Sequence, residues 1–271
     1  MFKRVMSGAI GLPVMIAAVA LGGWWLKAAL IALSAVGQYE LYKAFSGKIN
    51  PGHWFGFAFG AAYISLTGWV TAPPAFTALI CVFVALSLSS PVLFWGMVTP
   101  NDAACTVLGF FYIPVMFSTL LLTRGLNPLG SYAVWLVFIA AWGCDTGAYF
   151  TGITIGRHPL APKLSPKKTV EGLIGGVALA TLLAASYGGV ISGASALAGF
   201  NVTLFCALAG FFGAILAQLG DLAASAIKRA TGVKDFGSAI PGHGGVLDRF
   251  DSILFTAPAV YIVLILFQVG Q

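Results

Sequence analysis

LFCALAGFFGAILAQLGDLAASAIKR, residues 204–229, decides what kind of protein this is. No charged residue occurs between Leu204 and Gly220. A helix needs about 20 mostly apolar residues to cross the hydrocarbon core of a bilayer. The run therefore predicts a membrane-spanning helix with a polar end. There Asp221, Ser225 and Lys228 are spaced i, i+4 and i+7, which places them on one helix face.

The composition extends this prediction to the whole chain, since 59% of the 271 residues are hydrophobic and only 8% are charged. A soluble globular domain is less apolar than this. Nine segments are candidate spans, at residues 6–22, 24–45, 53–71, 74–95, 102–123, 130–151, 170–190, 200–228 and 251–269. We predict an all-α polytopic integral membrane protein with about nine transmembrane helices.

The basic residues indicate how these helices are oriented, because cytoplasmic loops carry an excess of Lys and Arg. With a cytoplasmic N-terminus and an external C-terminus, only Lys27 and Arg124 of the 14 basic residues lie outside. The other twelve lie on the cytoplasmic side: Lys3, Arg4, Lys43, Lys48, Arg157, Lys163, Lys167, Lys168, Lys228, Arg229, Lys234 and Arg249. The net charge of +6 is then explained by basic residues that line the cytoplasmic surface of the membrane. No nucleic-acid partner is therefore expected.

The four cysteines lie in or beside apolar segments without any metal-ligand spacing, so we expect buried thiols and no disulfide framework.

The acidic residues divide the chain unequally. Residues 1–130 contain only Glu40 and Asp102, both near predicted helix ends, so this part is interpreted as transmembrane scaffold. The remaining acids all lie in residues 131–271: Asp145, Glu171, Asp221, Asp235, Asp248 and Asp251. Acids are costly at membrane depth and are rarely placed there without a partner or a function. We therefore assign the catalytic region to residues 131–271 of one integral membrane unit.

A first polar loop, residues 151–172, contains LSPKKTVEG before the seventh segment. Ser165 or Thr169 is expected to cap the following helix. Lys167 and Lys168 precede a helix N-terminus, a position that attracts phosphate. The alternative is that both lysines only mark the cytoplasmic side.

A second polar loop ends in IPGHGGVLDRFDS, residues 240–252. Glycines such as Gly244 and Gly245 allow turns in which backbone amides approach anionic oxygens. Asp248 and Asp251 follow at the start of the last helix, where acids also act as caps. His243 could be a base, a phosphate donor or a loop hydrogen-bonder.

The two buried-helix acids also have structural alternatives: Asp221 could form an ion pair with Lys228, and Asp145 could pair with a lysine of another span. Taken together, the loops and helix ends offer carboxylates for a divalent cation and cations for phosphates at one cytoplasmic face. No Walker-type loop is present, so any phosphate site must be built differently.

One family shares this arrangement of residues. SAIKRATGVKDFGSAIPGHGGVLDRFD, residues 225–251, closely resembles the motif of phosphatidate cytidylyltransferases, also called CDP-diacylglycerol synthases. DTGAYFTG and LSPKKTVEGLIGG resemble the adjoining segments of that family. The resemblance implies transfer of a cytidylyl group from CTP to phosphatidic acid, with Mg²⁺, in a cleft that opens to the cytoplasm. It also implies a homodimer in a bacterial inner membrane.

Carried over by position, the resemblance also assigns roles. Asp221 and Asp248 would be the principal metal ligands, Asp251 and Asp145 weaker ones, and a second cation remains open. Lys228, Arg229 and Arg249 would neutralise phosphates. The residues that would bind substrate are Ser165, Lys167, Lys168, Ser225, His243, Gly244 and Gly245.

Two other functions remain as alternatives. A CTP-dependent polyprenol or phytol kinase would handle the nucleotide similarly but transfer the γ-phosphate. A cation-coupled transporter would use Asp145 and Asp221 as ion sites, but we find no pair of matched broken helices.

Overall fold

A computed structural model describes residues 2–47, 49–68, 73–193, 201–239 and 244–269. The helices in these ranges are α1 (Phe2–Leu21), α2 (Gly23–Phe45), α3 (His53–Leu66), α4 (Pro73–Leu93), α5 (Pro100–Phe110), α6 (Met116–Gly125), α7 (Gly130–Ile155), α8 (Val170–Ile191), α9 (Val202–Thr231) and α10 (Leu247–Val269). A π-helical turn, Phe111–Val115, joins α5 to α6 and contains Pro114.

Each of the nine predicted segments falls on helix, and the fifth covers α5, the π-helical turn and α6. Six helical segments in the described ranges are long and apolar enough to cross a membrane. They are Pro74–Leu93, Pro100–Gly125, Gly130–Ile155, Val170–Ile191, Val202–Thr231 and Leu247–Val269. The chain is thus an all-α integral membrane protein, and the number of nine crossings stays a prediction.

The first polar loop is more ordered than the sequence indicates. Helix α7 continues to Ile155, and the loop then forms an antiparallel ribbon of β1 (Pro159–Ala161) and β2 (Ser165–Thr169). The ribbon ends where Thr169 starts α8, since its side chain accepts a hydrogen bond from the amide of Gly172. The expected capping of this helix by Ser165 or Thr169 is therefore performed by Thr169.

The chain forms two compact units. The first contains residues 1–121 together with residues 231–249, and the second contains residues 122–230 together with residues 250–271. The glycine-rich second loop thus belongs to the unit of the N-terminal helices. Helix α10 begins in the first unit and continues in the second.

The core of the first unit is built around aromatic rings. Tyr42 of α2 is fully buried and donates its hydroxyl to the carbonyl of Thr106 at 3.1 Å. Its ring fills the space beside Gly56 and Gly109, where a Cβ atom would collide with it. The rings of Phe83 and Phe110 also pack against each other, tilted by 33°, with centroids 4.1 Å apart.

The second unit depends on small residues that allow helix backbones to approach closely, as is usual between membrane helices. Helix α8 buries a stripe at every fourth position, Gly172, Gly176, Ala180, Ala184 and Gly188. A Cβ on Gly176 would lie 2.6 Å from the carbonyl oxygen of Cys144 in α7. A Cβ on Gly188 would lie 2.9 Å from Cys206 in α9.

Cys105, Cys144 and Cys206 are buried free thiols, as predicted. Cys81 is also a free thiol but is exposed, so its predicted burial is wrong. It lies on α4, a helix whose apolar surface is largely uncovered by other parts of the chain.

Candidate active site

Helix α9 carries a polar face at its end. The helix is unbroken to Thr231, so Asp221, Ser225 and Lys228 share one face, as predicted. Asp221 forms an ion pair with Lys168 of β2, whose Nζ lies 2.5 Å from Oδ2. The ion-pair partner of Asp221 thus comes from the first polar loop, whereas the alternative given above was Lys228 of the same helix.

A cavity of about 200 Å³ lies beside this ion pair. Lys167, Lys168, Asp145 and Gln218 contribute its polar lining, with Tyr149 at one wall. Lys168 also donates to Oε1 of Gln218 at 2.8 Å, which ties β2 to α9. Both predicted phosphate-binding lysines therefore face one cavity within the second unit, at the N-terminus of α8.

Three carboxylates of the second unit influence one another electrostatically. Asp251 lies within electrostatic range of Asp221, Asp145 and Lys228. Asp251 is buried, and its Oδ1 accepts a hydrogen bond from the amide of Ser252 at 2.8 Å. In the part of the chain that the structure describes, no three His, Cys, Asp or Glu side chains could hold a metal ion by themselves. A metal there would have to take further ligands from substrate or water.

Two more predicted residues lie at the β-ribbon. Ser165 begins β2 opposite Ala161. The Nε of Arg229 donates to the carbonyl oxygen of Leu164 at 3.4 Å, so this guanidinium reaches the ribbon from α9.

The carboxylate of Glu171, in the first turn of α8, binds the residues that immediately precede the β-ribbon. Its Oε2 accepts the amides of Arg157 and His158 at 3.0 and 3.2 Å. Its Oε1 lies 2.5 Å from Nδ1 of His158. Glu171 thus binds both the backbone and the histidine side chain of the loop that precedes the ribbon.

The second loop places Asp248 in the first unit. Its Oδ2 accepts hydrogen bonds from the amides of Phe236 at 2.8 Å and Gly245 at 3.1 Å. Neither amide belongs to α10, so these bonds attach the carboxylate to the loop that precedes the helix. They also hold the carboxylate in one orientation at the start of α10.

Gly244 and Gly245 of this loop occupy different environments. Gly244 has φ of 89°, a conformation that other residues rarely adopt. Gly245 is buried and donates its amide to Asp248, whereas its predicted role was to bind substrate. Arg249 is exposed. His243 lies outside the described residues.

Sequence reasoning missed Glu40, which was interpreted as part of the scaffold near a helix end. It lies inside α2, is only 3% exposed, and accepts the amides of Val246 and Leu247 at 3.0 and 2.9 Å. The available signal was an acid on an otherwise apolar helix, since such residues rarely lack a partner.

The predicted site residues thus fall into two groups, one in each compact unit. The group in the second unit is Asp145, Ser165, Lys167, Lys168, Asp221, Ser225, Lys228, Arg229 and Asp251. The group in the first unit is Gly244, Gly245, Asp248 and Arg249.

Comparison with known proteins agrees with the motif. A model of the cytidylyltransferase family matches residues 2–267. Phosphatidate cytidylyltransferase from Synechocystis sp. is 34% identical over 301 aligned positions, which cover 97% of this chain and 96% of the relative. The enzyme of the same name from Bacillus subtilis is 37% identical over 186 residues, which cover 68% of this chain and 66% of the relative.

Phosphatidate cytidylyltransferase from Rickettsia bellii is also 37% identical, over 67% of this chain and 77% of the relative. The family model spans nearly the entire sequence, and the Synechocystis alignment covers both compact units. The chain therefore belongs to the cytidylyltransferase family.

Proposed function

We propose that this protein transfers the cytidylyl group of CTP to phosphatidic acid, forming CDP-diacylglycerol and releasing pyrophosphate. An oxygen of the lipid phosphate attacks the α-phosphorus of CTP, and the bond from that phosphorus to the bridging oxygen of pyrophosphate breaks. The observation that carries this proposal is the ion pair of Lys168 and Asp221, which Gln218 joins by a hydrogen bond, beside a cavity at the N-terminus of α8. The names of the relatives supply the reaction.

The cations of the second unit suit a reaction between anionic substrates. Lys167 and Lys168 face the cavity at the start of α8, where the helix dipole also favours phosphate. Lys228 and Arg229 lie at the end of α9, and Ser165 and Ser225 add hydroxyl groups. These side chains would bind and orient the phosphates, which is most of what phosphoryl-transfer catalysis requires of a protein.

The carboxylates fit a divalent cation. Mg²⁺ is usually held by one or two carboxylates together with substrate phosphates and water. Asp221 is partly exposed beside the lysines, so its oxygens are accessible to such an ion. Mg²⁺ would neutralise charge on the triphosphate. We propose Asp221 and Asp248 as its main ligands, with Asp251 and Asp145 as weaker candidates, and a second cation remains open.

No dedicated base is needed in this proposal, because a phosphomonoester has lost most of its second proton near neutral pH. We propose that His243 and Gly244 of the second loop contact substrate and that Arg249 neutralises phosphate.

The membrane arrangement follows from the same chemistry, because CTP is supplied on the cytoplasmic side. We propose nine crossings in a bacterial inner membrane, a cytoplasmic N-terminus, an external C-terminus and a substrate cleft that opens to the cytoplasm. A homodimer is proposed from the family resemblance alone.

Purified protein incubated with CTP, phosphatidic acid and Mg²⁺ tests the function directly. The expected products are a CDP-lipid and pyrophosphate in equal amounts. Release of CDP with a newly phosphorylated lipid would instead indicate a lipid kinase. Solute uptake by reconstituted vesicles, without consumption of CTP, would indicate a transporter.

A further inference from the structure

The buried carboxylate of Glu40 lies at the centre of the second loop. Within the described residues of the first unit it is one of two acids that are almost completely buried, the other being Asp102. A buried carboxylate is expensive unless hydrogen bonds compensate it. The partners of Glu40 therefore indicate what it is there to hold.

These partners are backbone amides from both sides of residues 240–243. The amides of Val246 and Leu247 donate to Oε1 and Oε2 at 3.0 and 2.9 Å. The amide of Ala239 hydrogen-bonds to the same carboxylate. Hydrogen bonds to a charged acceptor are about twice as strong as neutral ones. The side chain of Glu40 thus binds the backbone at Ala239 and again at Val246 and Leu247.

Two glycines match the position of this carboxylate. A Cβ on Gly245 would lie 2.5 Å from Oε2 of Glu40, and a Cβ on Gly237 would also collide with the carboxylate. Neither glycine has a positive φ, so backbone conformation does not require glycine at either place. The space that both leave open is filled by Glu40.

Asp248 completes the arrangement. Its Oδ2 accepts the amide of Gly245, so the amides of residues 245, 246 and 247 are bound in succession by two carboxylates. The same Oδ2 accepts the amide of Phe236, close to Gly237. The orientation of the Asp248 carboxylate is consequently linked to the backbone that Glu40 holds.

We propose that Glu40 is a positioning residue for the reaction, which orients the backbone of residues 236–239 and 244–247 and, through it, the carboxylate of Asp248. Glu40 acts through the backbone and contacts no reacting atom. This inference rests on the proposed function, in which Asp248 serves the metal and nucleotide. It assigns a helix of the N-terminal half to the catalytic machinery.

Three substitutions separate the elements of this role. Glu40→Ala removes the acceptor, Glu40→Gln keeps the volume but replaces one acceptor oxygen and the charge, and Glu40→Asp keeps the charge on a shorter side chain. We expect kcat to fall by about tenfold or more in Glu40→Ala and by a smaller factor in Glu40→Gln. Glu40→Asp should recover part of the activity that Glu40→Ala loses. The Mg²⁺ concentration for half-maximal rate should rise in the same order, because Asp248 is less well oriented.

Asp102→Asn is the matched control. Asp102 is likewise a buried acid of the first unit that accepts backbone amides, here those of Asn50 and Thr99, but these lie outside the loop. It should lower thermal stability while leaving kcat and the Mg²⁺ dependence unchanged. Glu40→Gln variants with wild-type kcat and Mg²⁺ dependence would overturn the proposal.

Hydrogen exchange provides a readout that does not depend on activity. In substrate-free protein, amides of residues 236–239 and 245–247 should exchange faster in Glu40→Gln than in wild type, whereas Asp102→Asn should leave them unchanged. Unchanged exchange in Glu40→Gln would refute the anchoring role even in an active enzyme. A wild-type protein that forms no CDP-lipid would instead refute the proposed function and leave the exchange result interpretable.

A double-mutant cycle with Gly237 tests the contact itself. Gly237→Ala should displace the carboxylate and accelerate exchange of the loop in wild type. In the Glu40→Ala background the collision is absent, so the same substitution should have little further effect. Equal effects of Gly237→Ala in both backgrounds would show that Glu40 does not hold this part of the loop.

Discussion

Replacing Asp221 by Asn separates its ion pair with Lys168 from its proposed role as a metal ligand. The Nζ and Oδ2 atoms are 2.5 Å apart, and the two side chains are 19% and 31% exposed. Exposed pairs contribute about 0–1 kcal/mol, and breaking a fully buried pair costs about 3–5 kcal/mol. A pair of intermediate burial should contribute about 1–2 kcal/mol to stability, so Asp221→Asn is expected to fold.

The effect on the rate should be larger. Asn retains the volume and one oxygen but loses the charge that would hold Mg²⁺ against a polyphosphate. Metal stabilisation of transition-state charge contributes several kcal/mol, and each 1.36 kcal/mol is tenfold in rate. We therefore expect kcat to fall by about 100-fold or more.

The assay is kcat at saturating CTP and lipid across a Mg²⁺ titration, on variants that are monodisperse in detergent. A cycle with Lys168→Met decides between the two roles. If Asp221 only anchors Lys168, its replacement should have no further effect once Lys168 is gone. If it binds the metal, the loss should persist in both backgrounds. Retention of more than about a tenth of wild-type kcat by Asp221→Asn, with unchanged Mg²⁺ dependence, would refute its assignment as a ligand.

Three further predictions concern other parts of the protein. Lys167→Ala should raise KM for CTP or phosphatidic acid by about tenfold, whereas Lys163→Ala, an exposed lysine in the turn of the same ribbon, should leave both KM values unchanged. Reporter fusions should place the N-terminus in the cytoplasm and the C-terminus outside, and a cytoplasmic C-terminus would require an even number of crossings. Gly176→Val should lower the midpoint of thermal unfolding in detergent, because its Cβ would collide with Cys144, and a midpoint equal to that of wild type would contradict this packing.

The helices could be predicted because apolar length is a local property of the sequence. The shared face of Asp221, Ser225 and Lys228 follows from helical periodicity in the same way. The β-ribbon could not be predicted, since β1 has three residues and no alternating pattern. The partner of Asp221 could not be predicted either, because Lys168 lies on a different element and any of several loop lysines could have taken its place.

Glu40 shows why half of a membrane enzyme cannot be set aside as scaffold on composition alone. The scarcity of acids in residues 1–130, where only Glu40 and Asp102 occur, makes each of them more informative, because a carboxylate on an apolar helix must be compensated by some other part of the chain. The carboxylate of Glu40 accepts hydrogen bonds from the amides of Val246 and Leu247, which lie 206 and 207 residues away in the sequence. The motif that identifies the family therefore depends for its geometry on a helix with no recognisable motif of its own. The same reasoning gives Asp102 no link to the second loop, since its partners are the amides of its own helix start and of the loop before α3. Two acids of similar burial thus have different consequences, and the sequence position of the amides that each one binds is what distinguishes them.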